Sequence, residues 1–270
     1  MAVNNIYLTA GIRENLFSLQ KTEKNMEITQ NRLATGLKVN SALDDPINFF
    51  AAQAHRQRAG DLSILKDGMN EGIQTIKAAD AGIEGITDLV AQAKTIINSA
   101  RTAAAADIAG LEAQWTALLS QIDDLATDSN YKGTNLLAAG SLTVDFNEAG
   151  SSALTVTGFD ASAIAGLSIT DVTLFTDSAE LDTHIGELDA ALDTLRTQSQ
   201  TLSSNLSVIT TRFDFTQNMI NTLNTGADNL TLADMNEESA NMLMLQTRQA
   251  LGTASLGMAS DSAQAILRLF

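Results

Sequence analysis

Few side chains in this sequence have the types and spacing that catalysis or metal binding requires. The two histidines, His55 and His184, fall in separate segments and lack the spacing of a metal site. His55 stands beside Arg56 and Arg58, which favours a solvated charge cluster over a general base. The sequence has no cysteine, and no HExxH, GxSxG or GxxxxGKS/T run occurs. The sequence therefore predicts no catalytic residue, no cofactor and no metal site.

Adjacent carboxylates are the remaining candidates for acid–base chemistry. The pairs are Asp44–Asp45, Asp123–Asp124 and Glu237–Glu238. Each pair lies at a predicted helix start or on a helix face, where capping of backbone N–H groups and the helix dipole account for a carboxylate. We therefore expect a protein without enzymatic activity.

The elements that carry these side chains are predominantly helical, and the most regular of them runs from Ala233 to Phe270. Its apolar residues form two neighbouring rows along the helix. The apolar surface is therefore too wide for a helix that lies on a protein surface in water. A core helix of a globular domain and a helix buried between molecules both fit this pattern. The first row, in steps of three and four, is Met242, Leu245, Gln249, Gly252, Leu256, Ala259, Ala263, Ile266 and Phe270, and the second is Met244, Leu251, Ala254, Met258 and Ala265.

The first forty residues mirror this pattern and favour the intermolecular interpretation. A helix from Asn5 to Leu37 is predicted, with Glu23 and Gln30 interrupting its apolar seam. Two matched helices thus bracket the chain. The apolar seam positions are Ile12, Leu16, Leu19, Met26, Leu33 and Leu37.

Between the ends, local signals predict where helices begin and end. The first helix should end near Gly36, and Pro46, preceded by Asp44 and Asp45, should start a helix that runs to about Arg101. Four glycines in that helix, Gly68, Gly72, Gly82 and Gly85, indicate close packing of a neighbouring helix rather than phosphate binding, because no strand precedes them.

The second half of the middle region contains the only β signal. A helix from about Asp107 to Ala126 places Trp115 as a core anchor, and the alternating run SLTVDFNEAGSSALTVTGFD then predicts a β-hairpin. The segment from Ser162 to Asp177 reads as a short strand or a loop. Helix resumes from about Leu181, and Gly226 is expected to mark the joint before the last helix.

Composition supports long helices with thin cores. The 270 residues include one proline and 4 % aromatic residues. We therefore expect a mainly α fold: a long antiparallel helical bundle or coiled coil with paired N- and C-terminal helices and a small β-hairpin region.

The net charge of −16 is placed unevenly. Residues 1–66 hold eight Lys and Arg against six Asp and Glu, residues 241–270 hold two against one, and the middle therefore carries −19. This acidic surface argues against nucleic-acid binding, which needs a basic face. Near-neutral ends permit close packing against copies of the same chain.

Nothing in the first forty residues resembles a cleavable secretion signal, because no long apolar core and no small-residue cleavage site follow the charges. No run of eighteen apolar residues occurs, so we expect no membrane insertion.

Three long motifs closely resemble bacterial flagellin, and the sequence is most similar to alphaproteobacterial flagellins of a short form without large outer domains. The motifs are LATGLKVNSALDDP at 33–46, YKGTNLL at 131–137 and the run from Ala233 to the last residue. The resemblance implies an extracellular, self-polymerising filament subunit for swimming motility, exported without a cleaved signal peptide.

The resemblance also implies a division of the chain and a set of partners. Residues 1–44 with 230–270 would form an inner coiled-coil domain in the filament core, 45–140 with 175–229 a rod-like helical domain, and 141–174 a short variable hairpin region. The partners would be copies of the chain, the filament cap, the hook-junction proteins, the flagellar export apparatus and a secretion chaperone. The self-assembly interface is expected to include Ile12, Leu16, Leu19, Met26, Leu33, Met242, Leu245, Leu256, Ile266, Leu269 and Phe270.

Two other functions remain open at this point. A hook–filament junction protein shares the terminal design, although the short middle region and the flagellin-like C-terminus disfavour it. A helical adaptor inside the cell would not need matched terminal helices.

Overall fold

The computed structural model of the chain describes residues 10–171, 175 and 178–267. The mainly α fold predicted from the sequence is confirmed, including the paired terminal helices and the small hairpin. None of the helices that the structure describes combines the length and apolarity needed to cross a lipid bilayer. The elements are α1 (Ala10–Thr35), α2 (Pro46–Ala100), α3 (Ala105–Asp128), β1 (Ser141–Asp145), β2 (Ala153–Thr157), α4 (Ser178–Thr231) and α5 (Met235–Leu267).

The predicted boundary between α1 and α2 is confirmed by its hydrogen bonds. Helix α1 ends at Thr35, and Gly36 adopts a φ of +72° while its N–H donates to the Arg32 carbonyl at 2.8 Å. Only glycine adopts this left-handed conformation without a steric cost, so it terminates the helix. At the start of α2, one oxygen of Asp45 accepts hydrogen bonds from the N–H groups of Ile47 and Asn48, both at 3.1 Å. Asp45 is therefore the N-cap of α2.

The joint predicted at Gly226 is wrong. Gly226 lies inside α4, which continues to Thr231 because Leu223, Ala227 and Thr231 are buried on one face of this last stretch. Burial of that face outweighs the low helix propensity of one glycine, which costs only about 1 kcal/mol. The chain breaks instead at Leu232–Asp234, where the Asp234 carboxylate accepts the Asn236 N–H at 2.9 Å and starts α5.

The chain divides into two compact units, and the larger one comprises residues 58–221. Within it, α2 and α4 lie antiparallel: Lys66 reaches Gln217 at 2.8 Å, and Lys94 reaches Asp189 at 2.5 Å. Trp115 of α3 is fully buried and meets the Phe175 ring edge-on at 5.9 Å, as expected of a core anchor. The largest fully buried side chains of this unit are Trp115, Met69, Ile76, Ile86, Ile97, Ile122, Leu136, Leu137, Ile169, Leu188, Leu195 and Ile209.

The predicted hairpin is present in the same unit. Strands β1 and β2 pair antiparallel with Thr143 opposite Thr155, and the buried Val144 packs on Gly72 of α2. A Cβ at Gly72 would lie 2.7 Å from Val144 Cγ2, so this glycine lets the hairpin approach the helix. The turn is closed by the Phe146 N–H, which donates to the Ser152 carbonyl at 2.8 Å, and residues 149–151 are exposed.

Close packing of a neighbouring helix, predicted for four glycines of α2, is found at Gly85, where Leu125 of α3 lies 2.8 Å from the place of a Cβ atom. Gly82 instead meets Leu137, in the loop after α3, at 2.6 Å, and Gly72 meets the hairpin. At Gly68, which is exposed, no atom of the described residues lies within 4 Å of the corresponding point, so the prediction is wrong there.

The described residues after the hairpin form a loop rather than a strand. Ala163, Leu167 and Ile169 of this loop are buried in the core of this unit, whereas Ile164 is exposed. The Asp123 carboxylate accepts the Ala163 N–H at 2.7 Å and so ties this loop to α3. Asp123 thus has a structural role in the fold.

The smaller unit comprises residues 1–57 and 222–270 and contains α1 and α5. The loop after α1 is fastened to the end of α4, since the N–H of Lys38 donates to the Thr231 carbonyl at 2.8 Å. The Ala233 N–H donates in turn to the Gly36 carbonyl at 3.0 Å. These bonds bring the end of α1 next to the start of α5, and the two helices run antiparallel from there.

Candidate functional site

Helices α1 and α5 pair in a single register along their described length. The Asn15 amide donates to Ser255 Oγ at 2.9 Å near one end, and an Arg32 guanidinium nitrogen lies 2.8 Å from Glu238 Oε1 near the other. In both contacts the two residue numbers add up to 270, and they add up to 271 where Leu19 of α1 lies against Gly252 of α5, so all three contacts belong to one register. The pair is therefore a two-helix antiparallel coiled coil.

The inward face of α1 alternates apolar and small polar residues. Thr22 and Thr29 are buried, whereas Glu23 and Gln30, which the sequence placed in the seam, are exposed. The alternation of three and four from Ile12 passes through Asn15, not through Leu16, which is 39 % exposed. A threonine suits such a position because its hydroxyl can bond its own helix, as Thr22 Oγ1 does with the Ser18 carbonyl at 2.9 Å.

The inward face of α5 carries the first apolar row. Leu245 is buried, and Met242, Gln249, Gly252, Leu256 and Ala259 are partly buried. On α1, the partly buried residues of the proposed interface are Ile12, Leu19, Met26 and Leu33. The structure thus brings the described members of the proposed interface together within one chain, except Leu16, which is exposed. The side chain of Ile266, and all of Leu269 and Phe270, lie outside the described residues.

The second apolar row of α5 is uncovered in the single chain. Met244, Leu251 and Met258, spaced seven residues apart, are 45 %, 66 % and 67 % exposed. We call these three residues the outer row. Phe17 and Ile28 of α1 are likewise exposed apolar side chains in this unit. Helix α5 therefore has one apolar face covered by α1 and a second one available for contact.

A further exposed apolar patch surrounds the start of α2 in the same unit. Leu43, Ile47 and Phe50 are 96 %, 81 % and 59 % exposed. The nearby acidic pair has a structural role: backbone N–H groups of Ser41 and Asn40 donate to the Asp44 carboxylate and lower its pKa. Asp44 and Asp45 therefore shape this turn, and neither is free for acid–base chemistry.

The structure shows a partly buried charge pair between α1 and α5 that the sequence interpretation missed. The Glu238 side chain is 8 % exposed and binds Arg32, so Glu238 is more than a helix-start carboxylate. The cleft at this point has a volume of about 330 Å³ and is also lined by Asn25, Thr29 and Arg248. A signal was available in the spacing, because Glu238 precedes Met242 by four residues and so continues the seam of α5.

The histidines do not build a reactive centre. His184 is buried in the larger unit, where Nδ1 lies 3.0 Å from Glu187 Oε2. Burial raises the pKa of Glu187, but hydrogen bonds from the Thr170 backbone, from His184 and from the Thr170 hydroxyl outweigh it and lower the pKa. Arg56, next to His55, binds Thr231 Oγ1 at 3.0 Å and Asp228 at 3.4 Å. Among the residues described, no three His, Asp or Glu side chains are grouped as metal ligands would be.

Comparisons with known proteins show the family to which the chain belongs. The family description "Bacterial flagellin N-terminal helical region" matches residues 4–141. Flagellin FljO of Caulobacter vibrioides is 31 % identical over the full length of both chains, and the flagellin of Brucella melitensis is 30 % identical over 94 % of this chain and 95 % of its own. The crystal structure of Bacillus cereus flagellin overlays with a TM-score of 0.49 at 19 % identity, covering 55 % of this chain and 88 % of that one. The chain belongs to the flagellin family.

Proposed function

We propose that this chain builds the wall of a bacterial flagellar filament, with the α1/α5 pair as its main subunit interface. Membership of the flagellin family supports the structural role, since flagellins are the subunits of that filament. Similarity over the full length of FljO favours this role over a junction protein or a helical adaptor inside the cell. A structural role also makes catalysis by this chain unnecessary.

The observation that carries the interface proposal is the uncovered outer row of α5. Each fully buried side chain of this size contributes about 1.5–3 kcal/mol, so covering Met244, Leu251 and Met258 would favour association substantially. A contact between this row and a different surface of the next copy is heterologous. Repeating a heterologous contact generates a helical filament when the rotation between copies does not close into a ring, and this is the arrangement we propose.

The patch formed by Leu43, Ile47 and Phe50 supplies a second surface for that contact. We propose that the expected interface residues of α1 and α5 act by holding the two helices together, so that the outer row is presented on a rigid surface. Leu245 and Leu256 hold the pair from α5, and Leu19 and Leu33 hold it from α1. Ile266, Leu269 and Phe270 remain members of the proposed interface.

We further propose that residues 1–44 with 230–270 form the inner domain of the filament. Residues 45–140 with 175–229 would form the rod-like domain, and residues 141–174 the outer hairpin region. The short hairpin leaves a thin outer surface. The chain would be exported without a cleaved signal peptide. Its partners outside the polymer would be a secretion chaperone, the filament cap and the hook-junction proteins.

Electron microscopy of purified chain tests the proposal. The protein is heated to monomer, cooled and mixed with short filament seeds, and long uniform filaments are expected. Leu251→Asp and Met258→Asp should each reduce filament mass at least tenfold, because a carboxylate would be buried without a partner. Gln246→Asp is the matched control, since Gln246 is exposed on the same helix about 200° around from Met244. Monomers that persist for the parent chain under all these conditions would refute the proposed function.

A further inference from the structure

A partly buried charge pair lies between the two helices of the coiled coil. An Arg32 guanidinium nitrogen lies 2.8 Å from Glu238 Oε1, and the two side chains are 33 % and 8 % exposed. The second oxygen of Glu238 is buried and has no partner among the residues described. Desolvation of such a pair offsets much of its attraction, so the pair contributes little net stability. Its effect on alternative pairings of the same helices is larger.

The apolar contacts of α1 and α5 distinguish weakly between registers. Ile12, Leu19, Met26 and Leu33 of α1 are spaced by seven residues. On α5, Met242, Gln249 and Leu256 are also spaced by seven. A slip of one heptad therefore brings seam positions opposite seam positions again. The spacing of the apolar seam does not by itself select the observed register.

Arg32 and Glu238 are placed so that either slip separates them. Shifting α5 by one heptad in one direction puts Arg32 opposite Leu245, and shifting it in the other direction puts Glu238 opposite Asn25. In both cases the Glu238 carboxylate loses its cation, and the lysines nearest to its new positions, Lys24 and Lys38, are exposed in the observed fold. An unpaired carboxylate in the seam is strongly unfavourable.

Two smaller features agree with the same register. The hydrogen bond from the Asn15 amide to Ser255 Oγ is lost when α5 slips by one heptad in either direction. Leu19 reaches over Gly252, where the missing side chain leaves room for it. Leu19 would meet Leu245 or Ala259 after a slip, and both have a side chain at that point.

We propose that the Arg32–Glu238 pair selects the register of the α1/α5 coiled coil. The two residues act as positioning residues: they exclude pairings shifted by a heptad, within one chain and between chains. This role concerns the geometry of the helix pair, so it holds whether or not the chain polymerises.

The absence of cysteine from the sequence makes the register directly measurable. Asn15→Cys is combined with Ser255→Cys to report the observed register. Combination with Ser262→Cys reports a slip of one heptad, and combination with Arg248→Cys reports a slip in the other direction. A short thiol-reactive cross-linker is applied, and only the monomeric product is scored, so links between chains do not enter the ratio. All three reporters lack the Asn15–Ser255 bond, which keeps them comparable.

Each reporter is measured in three backgrounds: the native pair, the apolar pair Arg32→Met/Glu238→Leu, and the reversed pair Arg32→Glu/Glu238→Arg. In the native background, the Ser255 reporter should link at least tenfold more than the other two. The apolar background should lower this ratio at least tenfold while circular dichroism shows unchanged helix, and the reversed pair should recover it in part.

An unchanged ratio in the apolar background would overturn the proposal. Loss of helix together with loss of every cross-link would also overturn it, because the pair would then act through stability alone. Filament formation is scored separately by electron microscopy, so failure of the proposed function is distinguishable from failure of this inference.

Discussion

Leu19 of α1 reaches over Gly252 of α5, so that a Cβ at position 252 would lie 2.7 Å from Leu19 Cδ1. The crowding atom is the tip of a flexible side chain, whereas the glycine sits in the middle of a 33-residue helix. A small side chain and a large side chain at position 252 should therefore have different effects on the stability of the helix pair.

We expect Gly252→Ala to be tolerated and Gly252→Leu to separate the two helices. Alanine gains up to about 1 kcal/mol of helix propensity, which offsets a small rotation of Leu19. Leucine overfills the seam and should lower the free energy of unfolding by about 1–3 kcal/mol. Thermal unfolding followed by circular dichroism measures both changes. Equal destabilisation by the two substitutions would show that Leu19 cannot move aside.

Removal of residues 256–270 should abolish filaments and leave the larger unit folded. The deletion takes away Leu256 and Ala259 from the seam and Met258 from the outer row. Residues 58–221 form a separate compact unit, and the single tryptophan of the chain, Trp115, is buried in it. Electron microscopy should show no filaments, while Trp115 fluorescence should stay blue-shifted. Normal filaments from the truncated chain would contradict the assignment of the interface.

Glu187 should make the larger unit sensitive to acid. Hydrogen bonds in the folded state lower its pKa below the ordinary value of 4.5, so its contribution is present above that value and is lost as the pH falls through the folded-state pKa. Glu187→Gln should cost about 1–2 kcal/mol at pH 7, and the difference from the parent should shrink below about pH 4. Urea unfolding at several pH values measures the difference.

Thr170→Val is the matched variant for this test. It removes the hydroxyl that donates to Glu187 at 2.8 Å and keeps the backbone N–H that donates at 3.0 Å. We therefore expect a smaller cost and a weaker dependence on pH. A gap between Glu187→Gln and the parent that stays constant from pH 7 to pH 3 would refute the role of these hydrogen bonds.

Trp115 should tolerate phenylalanine better than its size suggests. The indole N–H is buried without a partner among the residues described, so its removal relieves an unsatisfied donor. Trp115→Phe should therefore cost less than about 2 kcal/mol, whereas Trp115→Ala leaves a cavity and should cost about 3–5 kcal/mol. Urea unfolding followed by circular dichroism compares the two. Similar losses would indicate that the N–H has a partner.

Signals that act within a few residues predicted much of the fold. Pro46 and Asp45 gave the start of α2, Gly36 gave the end of α1, and the alternation around residues 141–157 gave the hairpin. The joint predicted at Gly226 was wrong because a single glycine has only a weak, local effect on a helix. The burial of Leu223 and Ala227, which keeps the helix intact, depends on tertiary packing that the sequence does not show. Tertiary packing decided that element.

The polar members of the α1/α5 seam were harder to predict for the same reason. The spacing of apolar residues along a helix predicts that a polar residue such as threonine is exposed. Thr22 and Thr29 are nevertheless buried, because α5 covers them. The contact of Arg32 with Glu238 joins residues 206 positions apart and depends on the register of two helices. Neither residue type nor spacing within one helix contains that information.

The closed turn of the hairpin offers a place where a foreign peptide could be inserted into the chain. Its turn is held at the base by the bond between Phe146 and Ser152, and residues 149–151 take no part in the core. A loop closed in this way accepts an insertion at small entropic cost, because each doubling of loop length adds only about 0.6 kcal/mol. An epitope placed between Ala149 and Gly150 would be repeated on every copy of the chain, which gives a regular multivalent array without chemical coupling.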